Sequence, residues 1–172
     1  MSTKKDEEWV EINAAAAPEA PVADQSLVTA ERILASVTVS ETARRPGAVK
    51  ILVVDDSATI RMMVASALKA FGYRAVQAKD GRDGLETLRQ NPDAALILCD
   101  INMPIMDGLT MIEIVRKAPA FGRIPVVMLT TESAKEAVIR AKACGVSGWL
   151  IKPPTNEALR SVMNKVVERK AS

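Results

Sequence analysis

From Val49 onward, short apolar runs alternate with stretches of helical periodicity. Ile51-Leu52-Val53-Val54 is a continuous apolar run that stops at Asp55-Asp56, as expected of a strand buried on both faces. Ser57 can cap the helix that follows, in which Ile60, Met63, Val64, Ala67, Leu68 and Phe71 share one face and Gly72 provides the stop. Arg74 to Ala78 reads as a second strand. Asp80-Gly81 then turns into a helix with Leu85 and Leu88 inward, closed by Asn91-Pro92. A central strand over 95–99 ends in Asp100, and Gly108 to Lys117 is helical with Leu109, Ile112 and Val115 on one face. Val126-Val127-Met128-Leu129 forms a fourth strand ending at Thr130. Ser133 caps a helix to about Ala143. Trp149-Leu150-Ile151 is the fifth strand, and a last helix from Thr155 buries Leu159, Val162, Met163, Val166 and Val167. Five alternations of strand and helix predict an α/β fold: a doubly wound, five-stranded parallel sheet with helices on both faces.

Residues 1–47 lack this pattern. They contain Ala14-Ala15-Ala16-Ala17-Pro18 and carry a net charge of −3, against +5 for residues 48–172. Such a composition predicts a flexible N-terminal extension. Within it Leu27, Ala30, Ile33, Leu34 and Val37 fall on one helical face behind a cap at Ser26, so a short helix over 27–37 is expected. The folded domain is expected over 48–172.

Composition then narrows the function. The chain has 172 residues, 48% of them hydrophobic and 26% charged, which suits one soluble domain plus an extension. A net charge of +2, with the basic residues spread out, gives no case for nucleic acid. No apolar run reaches the roughly 18 residues of a membrane span, and the N-terminus lacks the apolar core of a signal peptide, so a cytoplasmic location without membrane insertion is expected. Cys99 and Cys144 are expected to be reduced and buried. Histidine is absent. Histidine triads, histidine metal ligands and a phosphohistidine on this chain are therefore excluded.

In a parallel sheet the carboxyl ends of all strands share one edge, which is where open α/β sheets place their chemistry. Here that edge would gather Asp55 and Asp56 from the first strand, Asp100 from the third, Thr130 from the fourth and Lys152 from the fifth. Singly, each reads as a cap or a loop residue. Together they form a constellation. Two carboxylates about 5 Å apart repel by about 3 kcal/mol at an effective dielectric of 20, so three clustered acids call for a cation. Hard oxygen ligands select magnesium, which leaves room for a phosphate oxygen. A carboxylate can act as nucleophile and form an acyl phosphate, with Lys152 and Thr130 offering a cation and a hydroxyl to phosphoryl oxygens.

Residues 49–172 closely resemble a response-regulator receiver domain of two-component signalling. The resemblance rests on Val53-Val54-Asp55-Asp56-Ser57, on Asp100-Ile101-Asn102-Met103-Pro104-Ile105-Met106-Asp107-Gly108, on Leu129-Thr130-Thr131-Glu132 and on Lys152-Pro153. Among receivers it is similar to the stand-alone, CheY-like chemotaxis type. The resemblance implies the flavodoxin-like strand order 2-1-3-4-5, for which CheY is itself a standard example. It also implies that Asp100 is the phosphoacceptor and that Asp55, Asp56, Asp100 and the backbone carbonyl of Asn102 hold magnesium. Thr130 and Lys152 would read the phosphoryl group, and Thr130 and Trp149 would form the switch. Asn102 and Glu132 would tune dephosphorylation, and Lys152-Pro153 would be cis. Trp149 departs from the family's usual Tyr or Phe. The implied partners are a sensor histidine kinase or histidine phosphotransfer protein and a downstream target. The target would bind the fourth helix, fifth strand and fifth helix, roughly residues 133–170, where Lys135, Arg140 and Lys142 favour an acidic amphipathic helix.

Other functions fit less well. An aspartyl hydrolase of the haloacid-dehalogenase sort needs a second acid two residues after its nucleophile, where this chain has Asn102. A degenerate, constitutive receiver would lack an acid, the Thr or the Lys, and none is missing. Neither a P-loop nor a Gly-rich dinucleotide turn is present. The chain is expected to be a monomeric switch, not an enzyme beyond its own phosphorylation and dephosphorylation. With no output domain after the receiver, its output is expected by contact.

Overall fold

The computed structural model describes residues 10–12, 49–131 and 135–167. Its elements run β1 (Val10–Ile12), β2 (Lys50–Val54), α1 (Ala58–Ala70), β3 (Arg74–Ala78), α2 (Gly81–Gln90), β4 (Leu96–Asp100), α3 (Gly108–Lys117), β5 (Val126–Thr130), α4 (Lys135–Ala143), β6 (Gly148–Ile151) and α5 (Asn156–Val162). A wider turn over Met163–Val167 continues α5.

All strand pairs are parallel, in the order β1-β6-β5-β4-β2-β3. Without β1 this is the expected five-stranded 2-1-3-4-5 sheet. The added strand is a difference. No strand was anticipated before Val49, yet Val10–Ile12 pairs with Gly148–Leu150 at the sheet edge. The helix expected over 27–37 lies outside the described residues.

The central strands β4 and β5 are buried at every position, which explains their unbroken apolar sequence. Each face of the sheet has its own core. Leu52, Val54, Ile97, Cys99 and Met128 pack with Leu85, Leu88 and Ile112 on one face. Ile51, Val53, Leu98, Leu129 and Leu150 pack with Val64, Leu68 and Leu159 on the other. In α1, Val64, Ala67 and Leu68 are buried as the periodicity predicts, but Met63 is exposed. Leu159 and Val162 of α5 and Met163 at the start of the wider turn are buried, while Val166 and Val167 further along that turn are only partly so.

Caps position the helices against the site. Ser57, Asp80, Asp107 and Thr155 each accept a backbone N–H of the first turn with their side chains. Gly108 is required by space: a Cβ there would lie 1.9 Å from the carbonyl oxygen of Asp100.

Candidate functional site

Strand ends and caps bring the acids together. Asp55, at the end of β2, is fully buried and accepts the Ser57 N–H at 2.8 Å on Oδ1. That bond ties the acid to the start of α1. Asp56 is exposed beside it. Asp100 ends β4 and is 5% exposed. Its Oδ1 accepts the Asn102 N–H at 3.3 Å. Ligand oxygens of Asp55, Asp56 and Asp100 lie within 4.8 Å of one another.

Lys152 reaches into this cluster from beyond β6. Its Nζ donates to Asp100 Oδ2 at 2.8 Å and lies 2.7 Å from Asp55 Oδ2. The buried Asp55 Oδ2 is thus held by an ion pair with this ammonium. The Lys152 side chain is itself only 9% exposed, and the bond to Pro153 is cis.

The charges follow from this packing. Burial, the largest effect, pushes the Asp100 carboxyl above the usual carboxylate range, and the Asp55 charge adds to it; Lys152 works in the opposite direction. Burial alone would lower the Lys152 ammonium. Its contacts with Asp100 and Asp55 outweigh burial and raise it. The lysine is therefore a firmly held cation between two acids. Three carboxylates whose ligand oxygens lie within 4.8 Å of one another match the donor set of a hard divalent cation.

Thr130 ends β5 and is buried, with its Cα opposite Ile151 of β6. Trp149 lies in β6 opposite Met128; it is 7% exposed, and its ring centroid is 5.6 Å from Lys142 Nζ. Thus Asp55, Asp56, Asp100 and Lys152 meet directly, Asn102 touches Asp100 through its N–H, and Thr130 occupies the same sheet edge. Glu132 lies outside the described residues, as does the side chain of Lys135.

Sequence reasoning passed over several residues that build the site. Arg61 donates from Nη1 to the carbonyl oxygens of Asp55 at 2.7 Å and Asp56 at 3.2 Å, bracing the acidic turn. Its place one turn into α1, after the acid pair, was the available signal. The loop after Asp100 is pinned to α2, since the Gly81 N–H donates to the Met106 carbonyl at 3.1 Å. In that loop Ile105 adopts φ 70° and is 74% exposed.

The response regulator receiver domain model matches residues 51–164. This chain is a member of that family. The chemotaxis protein CheY1 of Helicobacter pylori is 39% identical over 119 residues, which span 69% of this chain and 96% of that protein. The chemotaxis protein CheY homolog of Campylobacter jejuni is 35% identical over 119 residues, 69% of this chain and 92% of that protein. The solved structure of Vibrio cholerae chemotaxis protein CheY4 is 38% identical with a TM-score of 0.66, covering 70% of this chain and all of that one. The receiver is thus CheY-like, a two-component signalling switch and not a conventional enzyme. Receiver domains bind magnesium at an acidic pocket, and the trio of Asp55, Asp56 and Asp100 is an acidic cluster that could hold a metal ion. No helix among the described residues is long and apolar enough to cross a membrane.

Proposed function

We propose that this receiver carries its phosphoryl group on Asp100 and reports it by contact with a target protein. The supporting observation is the convergence of Asp55, Asp56, Asp100 and Lys152 at one sheet edge, with Lys152 Nζ against two of the acids. The donor is a phosphohistidine of a sensor kinase or phosphotransfer protein, since this chain has no histidine of its own. An Asp100 carboxylate oxygen attacks phosphorus, the P–N bond breaks, and the imidazole nitrogen leaves with the electron pair and takes up a proton. Asp55, Asp56, Asp100 and the Asn102 carbonyl would hold magnesium, which neutralises charge on the transferring group. Lys152 exchanges its carboxylate contacts for phosphoryl oxygens, and the Thr130 hydroxyl donates to another.

Asn102 and Glu132, two residues after the acceptor and two after Thr130, tune attack by water on the acyl phosphate. The pair favours a lifetime on the order of a minute or less, a barrier of roughly 20 kcal/mol. Phosphorylation then biases the surface formed by α4, β6 and α5 toward its target, by as much as the two arrangements differ in affinity. Kinship with chemotaxis proteins favours that pathway, with the protein acting as a cytoplasmic monomer. Acetyl phosphate with magnesium should label the wild-type chain with an acid-stable, hydroxylamine-labile phosphate. Labelling should vanish in Asp100→Asn and on chelation of the metal. Undiminished label in Asp100→Asn would refute the assignment.

A further inference from the structure

The two edges of the receiver sheet differ in kind. On one side β3 runs Arg74-Ala75-Val76-Gln77-Ala78, with Arg74 and Gln77 exposed. Charged and polar positions blunt such an edge against further pairing. On the other side β6 runs Gly148-Trp149-Leu150-Ile151, with no charge and no proline until Lys152-Pro153. Leu150 is fully buried and Trp149 nearly so. Its second neighbour is the short strand β1, in parallel register, with Val10 opposite Gly148, Glu11 opposite Trp149 and Ile12 opposite Leu150.

We infer that the outer edge of β6 is a strand-acceptor site, which the chain's own Val10–Ile12 segment closes to an added strand from a partner. Two independent observations carry this: the apolar edge without gatekeeping residues, and a strand in register upon it. The reach is feasible. From β1 to β2 the chain must pass four strand spacings, about 19 Å. Residues 13–49 provide about 120 Å of contour at roughly 3.3 Å per residue. Strand addition draws its affinity from main-chain hydrogen bonds, so a partner that adds an extended strand to β6 must first displace this segment. The segment is then an internal competitor at the strand that carries Trp149. Nothing in this inference depends on which residue accepts phosphate.

The test uses the full chain with Val10→Pro and Glu11→Pro together. Successive residues of a strand direct their N–H groups to opposite sides, so one of two consecutive prolines must remove a donor facing β6. The receiver fold should persist, since the Vibrio cholerae structure is matched over its whole length by 70% of this chain. Hydrogen exchange is read at the amides of Gly148–Ile151. Those directed away from β5 should exchange at least about tenfold faster in the double variant, while those paired to β5 remain protected. A synthetic peptide of residues 5–15 should bind the double variant and restore protection, yet fail to bind the wild-type chain. Equal exchange in the two proteins, or equal peptide binding to both, overturns the inference. A concentration-dependent dimer that loses β6 protection on dilution also overturns it, because the covering strand would then come from a second copy.

Discussion

Lys152 Nζ stands 2.8 Å from Asp100 Oδ2 and 2.7 Å from Asp55 Oδ2, so one ammonium bridges two acids from different strands. Asp55 is fully buried, and Lys152 Nζ is the cation in contact with its carboxylate. Replacing Lys152 with Met keeps the aliphatic length and leaves two carboxylates facing each other without a counter-charge. The chelated Lys152→Met protein should lose about 3 kcal/mol of stability in urea unfolding. Millimolar magnesium should recover most of that loss, because the metal supplies the missing charge. Equal urea midpoints for wild type and variant in chelator would show that the lysine carries no such burden.

The same trio sets a pH dependence of definite sign. Burial raises the folded Asp100 carboxyl above its unfolded value, so the ionised group costs stability above its folded pKa. That cost is relieved as pH falls through the folded value toward the unfolded one. In chelator, Asp100→Asn should therefore be more stable than wild type at neutral pH, with the gain shrinking through the acid range. Lys152 is raised as well, so its contribution is fully present below the ordinary lysine pKa and fades as pH rises through the folded value. Urea midpoints against pH for the two proteins give both signs. A stability gain in Asp100→Asn that grows toward acid pH would contradict the first.

How much of this was readable beforehand depends on where the signal resides. The five receiver strands are written in local sequence, because strands such as β4 and β5 are buried on both faces and must be apolar throughout. The site acids and Lys152 follow from strand ends, once the strands are placed. The strand β1 was not readable. Three residues in an acidic, alanine-rich stretch carry no period, and what makes them a strand is the bare edge of β6, more than a hundred residues away. Arg116 was missed for a related reason. At the end of an amphipathic helix it looks like a solvated cation, whereas its partners are carbonyls in the loop after its own helix and in the distant loop before β6. The turn at Ile105 was hidden because a β-branched residue occupies a position that favours Gly or Asn.

Ile105 offers a direct measurement of that last cost. It holds φ 70° and is 74% exposed, so it gives up conformational energy and gains little burial in return. The left-handed conformation costs roughly 1–2 kcal/mol for an ordinary L-residue, while Asn and Gly adopt it readily. Ile105→Asn should raise stability by about 1 kcal/mol. Thermal or urea unfolding would decide, and a loss of stability would mean that the isoleucine makes a contact worth more than its strain.

Arg116 is expected to be among the costliest surface-facing positions to alter. Its guanidinium donates to the carbonyls of Cys144 at 3.0 Å, Gly122 at 3.1 Å, Ile124 at 2.8 Å and Gly145 at 2.9 Å. These bonds tie the end of α3 to the loop before β5 and to the loop before β6. Burial lowers its pKa from the ordinary arginine value, yet the group stays charged. Arg116→Ala would strand several half-buried carbonyls, at a cost of about 2–4 kcal/mol. Arg116→Lys should recover little of it, because one ammonium cannot span four acceptors in two loops. A lysine variant as stable as wild type would assign the effect to charge alone.

Trp149 provides the most direct view of the switch. The residue is 7% exposed, and its Nε1 is buried without a hydrogen-bond partner among the described residues. A ring so placed should emit at short wavelength and resist a soluble quencher even without phosphate. The other tryptophan of the chain, Trp9, is removed by Trp9→Phe so that Trp149 is read alone. In that background, beryllofluoride with magnesium should shift the emission, because Thr130 and Ile151 are paired across β5 and β6 and the site lies just beyond them. Since the ring starts buried, the shift should come chiefly from a changed environment of the indole N–H and of Lys142 over the ring, with little change in quenching. Thr130→Ala should bind the phosphate mimic yet give a smaller shift. If emission stays constant while a target protein still distinguishes the two forms, the indole is locked, and the signal leaves the site through the loop after β5 alone.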